Sequence, residues 1–195
     1  MPSDLDTLLK ELETFGEIND SRTHERPSRM LNITRDTGEF LYVMVQATNA
    51  KRVLEIGTSN GYSTLWLAKA AHTVGGTIRT VELSEAKIEL ARQNFKRSGL
   101  EALITQLHSD GGAILAAQDK YSLDLVFLDS ERCQYCGWWP DLRRVLRPGG
   151  LLIVDNALSH ADEMAAFKAL VESDPDFSTC LVPVGKGEFL ATRRP

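Results

Sequence analysis

The stretch Val53-Leu54-Glu55-Ile56-Gly57-Thr58-Ser59-Asn60-Gly61-Tyr62-Ser63 decides the fold. Its apolar run predicts a strand, which passes through an acidic residue into a loop bounded by two glycines that feeds a helix. Gly57 and Gly61 let backbone approach a ligand where a Cβ would collide, and a helix starting near Ser63 offers unpaired N–H groups. The loop thus reads as a nucleotide-cofactor site. A dinucleotide fingerprint is G-x-G-x-x-G, whose second glycine lets pyrophosphate sit on the helix N-terminus. Here that position is Ser59, the spacing is G-x-x-x-G, and Glu55 would set a negative charge beside bound phosphates. Both features favour a cationic ligand carrying an amino group, such as S-adenosylmethionine (SAM). An ordinary strand-to-helix turn is the plainer alternative.

Further on, Ile78-Arg79-Thr80-Val81 predicts a second strand ending in Glu82, where a doubly wound fold puts the carboxylate that hydrogen-bonds ribose hydroxyls. Ser84 then caps a helix with Glu85 in its first turn and Gly99 as its stop. A third strand, Leu103 to Leu107, runs into His108-Ser109-Asp110-Gly111. Asp110 is either a loop cap or an acceptor for an adenine amino group.

Strand and helix patterns alternate along the rest of the chain, as a parallel sheet requires. Leu5, Leu8, Leu9, Leu12 and Phe15 mark one face of an N-terminal helix ending at Gly16, and Ile18 to Leu31, polar and containing Pro27, reads as a lid or linker. Thr34 caps the next helix, which stops near Asn49. Further strands are Leu123 to Leu128, Leu151 to Val154, Thr179 to Val184 and Phe189 to Thr192, and Gly185-Lys186-Gly187 joins the last two as a hairpin. The expected architecture is α/β: a doubly wound, seven-stranded, mostly parallel sheet with an antiparallel last strand and helices on both faces. One domain spans 1–195, with 1–33 as its N-terminal helix and lid or linker.

Composition sets bounds. A chain of 195 residues suffices for one well-buried domain, and a net charge of -5 argues against broad electrostatic binding of nucleic acid. No apolar stretch reaches membrane-spanning length, and Met1-Pro2-Ser3-Asp4-Leu5-Asp6 is acidic where a signal peptide is basic and then apolar, so a cytoplasmic protein is expected. Cys133, Cys136 and Cys180, odd in number, suit a reducing compartment, and Cys133-Gln134-Tyr135-Cys136 lacks further ligands at zinc-finger spacing.

With these motifs in order, the chain resembles class I SAM-dependent O-methyltransferases of the catechol and caffeoyl-CoA type, from about Met30 to Arg194. LEIGTSNGYS resembles the family's cofactor loop, including its Gly-Tyr-Ser ending, and FLDSERCQY, VLRPGG and IVDNAL resemble later blocks. The resemblance implies a Rossmann-like fold with SAM contacts at Glu55, Gly57, Ser59, Gly61, Tyr62, Ser63, Glu82, Leu83, Asp110, Gly111 and Asp129. It also implies a divalent cation, Mg²⁺ foremost, held by Asp129, Asp155 and Asn156, and a small aromatic hydroxyl substrate. Relatives of this type are commonly dimers; the Leu5, Leu8, Leu12 stripe and the Trp138-Trp139 pair point the same way, to a homodimer.

Glu55, Glu82, Asp110, Asp129, Asp155 and Asn156 all follow strand patterns, at the sheet edge where open α/β folds bind ligands. The oxygen donors Asp129, Asp155 and Asn156 suit a hard cation, which lowers the pKa of a hydroxyl it touches and orients it toward the methyl group. Alone, Asp155-Asn156 reads as a turn or helix cap. The assigned catalytic residues are Asp129 and Arg132. The latter departs from the family's lysine base, because guanidinium keeps its proton; it can stabilise a phenolate or bind an anionic substrate group, which leaves metal, water, Glu131 or His160 as base. The segment Ala157-Leu158-Ser159-His160-Ala161-Asp162 is short, predicting an open acceptor pocket, and Trp138 and Trp139 offer either an aromatic wall or core. The competing functions are a cofactor-binding protein without turnover and, disfavoured by Ser59 and Glu55, an NAD-dependent oxidoreductase.

Overall fold

The computed structural model describes residues 2–195. Seven strands, β1 (Arg52–Ile56), β2 (Thr77–Glu82), β3 (Ile104–His108), β4 (Leu123–Leu128), β5 (Leu146–Val154), β6 (Phe177–Val182) and β7 (Glu188–Arg193), form one sheet in the order β3-β2-β1-β4-β5-β7-β6. The first five run parallel, while β7 is antiparallel to both β5 and β6. The expected doubly wound sheet with a reversed last strand is what the chain forms.

The apolar strands are continuous runs because both sheet faces are covered, and the pleat sends alternate residues to opposite sides. Val53, Leu125, Phe127, Leu151 and Ile153 pack with α1 (Pro2–Arg22), α2 (Arg35–Ala47), α3 (Tyr62–Val74) and α4 (Glu85–Ser98). Leu54, Ile56, Val126, Leu128, Leu152 and Val154 pack on the other face with α5 (Gly111–Ala116), α6 (Tyr135–Val145) and α7 (Ala161–Glu172). The helix boundaries have visible causes. Thr34 Oγ1 accepts from Thr37 N–H at 3.2 Å and Ser84 Oγ from Lys87 N–H at 3.4 Å, while Gly99 ends α4 in the left-handed conformation at φ 69°.

Two N-terminal expectations change. First, α1 does not stop at Gly16 but runs on to Arg22, leaving only 23–34, with a short 3₁₀ turn at Arg26–Ser28, as irregular chain. Gly16 serves close packing, since a Cβ there would overlap Asn32, whose Nδ2 donates to the Leu12 carbonyl at 3.0 Å. Second, Leu8, Leu9 and Leu12 are covered by this chain's own α3 and α4 side, and Trp139 is buried among Phe167 and Phe177. Leu8, Leu12 and Trp139, three of the residues that suggested a homodimer, are therefore core of one chain, while Leu5 is partly buried, Trp138 faces the cavity and Phe15 stands 44% exposed. Among the described residues no helix is long and apolar enough to cross a membrane.

Candidate active site

The loop after β1 is shaped by contacts that tolerate no Cβ. Gly57, at φ 115°, passes so close to the Asp129 carbonyl that a side chain would overlap it, and a Cβ on Gly61 would strike the Phe95 ring. Gly57 N–H donates to the Val81 carbonyl at 3.0 Å, and Asn60 Oδ1 accepts from Tyr62 N–H at 3.1 Å where α3 begins.

Glu55 lies beneath this loop, fully buried and outside the cavity wall. Its carboxyl accepts from Ser63 Oγ at 2.5 Å, Thr80 Oγ1 at 2.6 Å and Thr64 Oγ1. Burial pushes its pKa up to about 7 against the opposing pull of these hydroxyls. The structure thus places Glu55, expected as a partner for the ligand's positive charge, as the post to which the loop and α3 are tied. Ser63 shares that role, although it reaches the cavity.

Glu82 stands on the cavity wall and organises the turn around itself. Oε1 accepts from the N–H groups of Leu83 and Ser84 and Oε2 from that of Ser59, each at 2.9 Å. Three donors fix the carboxylate, and Oε2 keeps a lone pair for a ligand hydroxyl. Asp110 caps α5, its Oδ1 accepting from Ala113 N–H at 3.0 Å, and it also faces the cavity. The cap reading and the ligand reading are thus compatible. Beside it, Trp138 packs so closely on Gly112 that a Cβ there would overlap its ring, while a Cβ on Gly111 would overlap Ile56. Trp138 is a wall of the Asp110 end, separated from the buried Trp139.

These residues line a cavity of about 650 Å³ that also takes in Gly57, Ser59, Tyr62, Leu83, Gly111, Asp129 and Asn156. A strap from the 23–34 segment crosses it. Ser59 Oγ donates to the Met30 carbonyl at 2.6 Å, the Asp20 carboxylate receives Met30 N–H at 2.6 Å and Leu31 N–H at 2.8 Å, and Arg26 reaches Glu131 at 3.5 Å.

The far end is acidic. Asp129 and Asp155 follow β4 and β5, and Asn156 Nδ2 lies 2.7 Å from Asp155 Oδ2 and 3.3 Å from Asp129 Oδ1. Behind Asp155 is Glu188, wholly buried, whose Oε1 accepts from Thr37 Oγ1 at 2.9 Å. Among the described residues, Asp155 Oδ1 and Glu188 Oε2 are both buried without a hydrogen-bond donor. Burial, then the neighbouring Asp155 charge, raises the Glu188 pKa to about 10, which keeps the proton on Glu188. Burial first, and then Asp155, also drives Asp129 well above the usual carboxylate range, while Lys186 and Arg132 pull the other way.

This donor set fits a hard cation. The Asn156 amide nitrogen faces both carboxylates while its Oδ1 accepts from Ser159 Oγ at 3.2 Å, so a turn of the amide would set three oxygen donors together; one Asp155 oxygen is buried without a donor, and carboxyls that hold protons here would exchange them for a positive ion. Among the described residues no group of three or more His, Cys, Asp and Glu side chains is placed to hold a metal, so Asn156 is needed to complete the set.

Arg132 is buried on the cavity wall, its Nε donating to Glu163 Oε2 at 2.8 Å. Glu131 and His160 also reach the wall; His160 Nδ1 lies 2.9 Å from Ser159 Oγ. Sequence reasoning missed Lys186, which lines this end, and Glu188 behind it. The Gly-Lys-Gly signal indicated a turn, but not that antiparallel β7 would bring that turn to the carboxyl edge.

The site is thus a nucleoside-sized cavity at the carboxyl edge of the sheet, with an oxygen-donor cluster at its far end. The sequence profile of the O-methyltransferase family matches residues 3–194. The chain belongs to that family and is a SAM-dependent O-methyltransferase by class. It is 32% identical over 133 residues to a catechol O-methyltransferase of Niastella koreensis, covering 66% of this chain and 59% of that protein. It is 26% identical over 216 residues to caffeoyl-CoA O-methyltransferase 2 of Zea mays, covering 97% and 80%. Among solved structures, the O-methyltransferase involved in tomaymycin synthesis in Streptomyces achromogenes, in complex with SAM, superposes with a TM-score of 0.76 at 25% identity, covering 85% of this chain and 82% of that one.

Proposed function

We propose that this enzyme transfers the methyl group of SAM to a hydroxyl of a small aromatic acceptor bearing neighbouring hydroxyls, assisted by a divalent cation, Mg²⁺ foremost. The observation that carries this reading is the meeting of Asp129, Asp155 and Asn156 at the end of the cavity opposite Glu82 and Asp110. SAM supplies, when bound, a methyl group on a positively charged sulfur. Glu82 takes its ribose hydroxyls, Asp110 and the Trp138 face take its base, and the Gly57 to Gly61 loop admits the remainder without steric conflict. Asp129, Asp155 and Asn156 would hold the cation, whose charge makes a hydroxyl more acidic.

The chain's own residues do the positioning. The 23–34 strap and the Arg26–Glu131 pair narrow the mouth, and Arg132, a guanidinium, adds fixed positive charge beside the acceptor. A cytoplasmic location suits the three cysteines, all exposed and unpaired. The test is a screen of catechols and hydroxycinnamates with labelled SAM, with and without chelator. Asp155→Ala is expected to abolish metal-dependent turnover while calorimetry finds SAM affinity nearly intact. Full-rate methylation by chelator-stripped enzyme would overturn the cation's role.

A further inference from the structure

Among the described residues, one cation at the acceptor end of the cavity makes no ion pair. Of the cations on the cavity wall, Arg26 is paired with Glu131, Arg29 lies 3.9 Å from Asp20, and Arg132 is held by Glu163, while Lys87, in the first turn of α4, belongs to the Glu82 end. Lys186 remains. Among the described residues its ammonium makes no ion pair, and it lines the cavity together with Asp129 and Asn156.

Its backbone is fixed with unusual thoroughness for a hairpin tip. The Lys186 carbonyl accepts from the N–H groups of Leu158 at 3.1 Å and Ser159 at 3.0 Å, Ala157 N–H donates to the Gly187 carbonyl at 2.8 Å, and Gly187 N–H closes the turn on Val184 at 2.8 Å. Gly185 and Gly187 have positive φ, 54° and 93°, and a Cβ on either would overlap Thr37 or Leu158. The turn is therefore clamped to α2 and to the segment after Asn156, so Lys186 is presented from a rigid base toward the acceptor end.

We propose that Lys186 is a catalytic residue whose ammonium meets the acceptor oxygen and stabilises it as phenolate during methyl transfer. This rests on the aromatic-hydroxyl reading above. The hydroxyl proton leaves to water. The oxygen forms a bond to the methyl carbon as the carbon–sulfur bond breaks, its electron pair passing to sulfur, and the sulfonium becomes a neutral thioether. Lys186 stays an ammonium throughout, contributing preorganised charge where negative charge would otherwise be costly. Arg132, tied through Nε to Glu163, supplies the opposite wall.

The test uses the full chain with Mg²⁺, S-adenosylhomocysteine and nitrocatechol, whose phenolate absorbs visibly, titrated across pH; turnover is measured separately with SAM. In the wild type, bound nitrocatechol is expected to ionise at lower pH than in solution. Lys186→Met should raise that ionisation by about one pH unit and reduce kcat roughly tenfold at neutral pH with little change in KM. Lys186→Arg, which keeps charge but cannot give up a proton, should retain most of both properties. Unchanged ionisation and kcat in Lys186→Met would overturn the assignment while leaving the acceptor reading intact. Equal impairment of Lys186→Arg and Lys186→Met would replace charge stabilisation by proton abstraction. Failure of the wild type to bind nitrocatechol would remove the acceptor class and the lysine's role together.

Discussion

Glu82 is where the proposed ribose contact can be tested by one substitution. As an acceptor it holds the N–H groups of Ser59, Leu83 and Ser84, and as a wall residue it keeps a lone pair for the ribose hydroxyls proposed above. Glu82→Gln preserves the volume but turns a donor toward Ser59 and the ligand, so calorimetry should find SAM binding weaker by roughly 1.5–3 kcal/mol in a folded protein. Unchanged affinity would remove the ribose assignment. Glu55 makes a different prediction, about pH. Its pKa rises from 4.5 to about 7 on folding, so its contribution to stability is complete below 4.5 and is lost as pH rises through about 7. Glu55→Gln should flatten that decline by about 3 kcal/mol, read from urea unfolding at pH 5 and pH 8. Glu82 and the loop glycines were legible because they sit beside their motif in the chain. The burial of Glu55 was not, because an acidic residue at a strand end looks the same whether neighbours or ligand satisfy it, and Thr80, one of its three donors, arrives from another strand.

At the scale of elements, Asp124 shows how the opposite edge of the sheet is tied. Its carboxylate receives the N–H groups of Lys51 and Arg52 at 3.0 and 2.8 Å and the guanidinium groups of Arg52 and Arg147 at 2.8 and 2.6 Å, joining β1, β4 and β5 at one point. Burial opposes ionisation, but these donors outweigh it and hold the carboxyl far below its ordinary value. The stability it contributes is thus present above pH 3.8 and lost as pH falls further. Asp124→Asn should cost about 2 kcal/mol at neutral pH in thermal unfolding and remove part of the acid sensitivity. Most elements could be read because alternating cover on both sheet faces leaves apolar runs, and caps such as Ser84 and Gly99 mark their ends. The first helix was misjudged at Gly16, where glycine answers to Asn32, a tertiary neighbour that local pattern does not contain. Position 132 was read as a departure, but its carboxylate Glu163 lies 31 positions away in sequence.

Across the whole molecule, α1 is both core and anchor. Leu8, Leu9 and Leu12 are buried, and near its end Asp20 grips Met30 and Leu31 of the strap. Leu9→Ala should therefore cost about 2–5 kcal/mol in chemical denaturation, more than an interface residue of a separable partner would show in a single chain. Asp20→Ala should free the strap and raise the dissociation rate of SAM in stopped-flow fluorescence, with little change in melting temperature. The sheet also divides the labour. Glu82 and the glycine loop belong to β1 and β2, whereas the acceptor end draws on β4, β5 and the turn before β7. Because β7 runs backwards, its beginning, instead of its end, arrives at the ligand edge, so the turn before it brings Lys186 to the cavity with Glu188 buried behind. If Lys186 meets the acceptor as proposed, replacing residues 183–188 with another hairpin of equal length should change the range of acceptors methylated in a substrate screen while calorimetry finds SAM held as before.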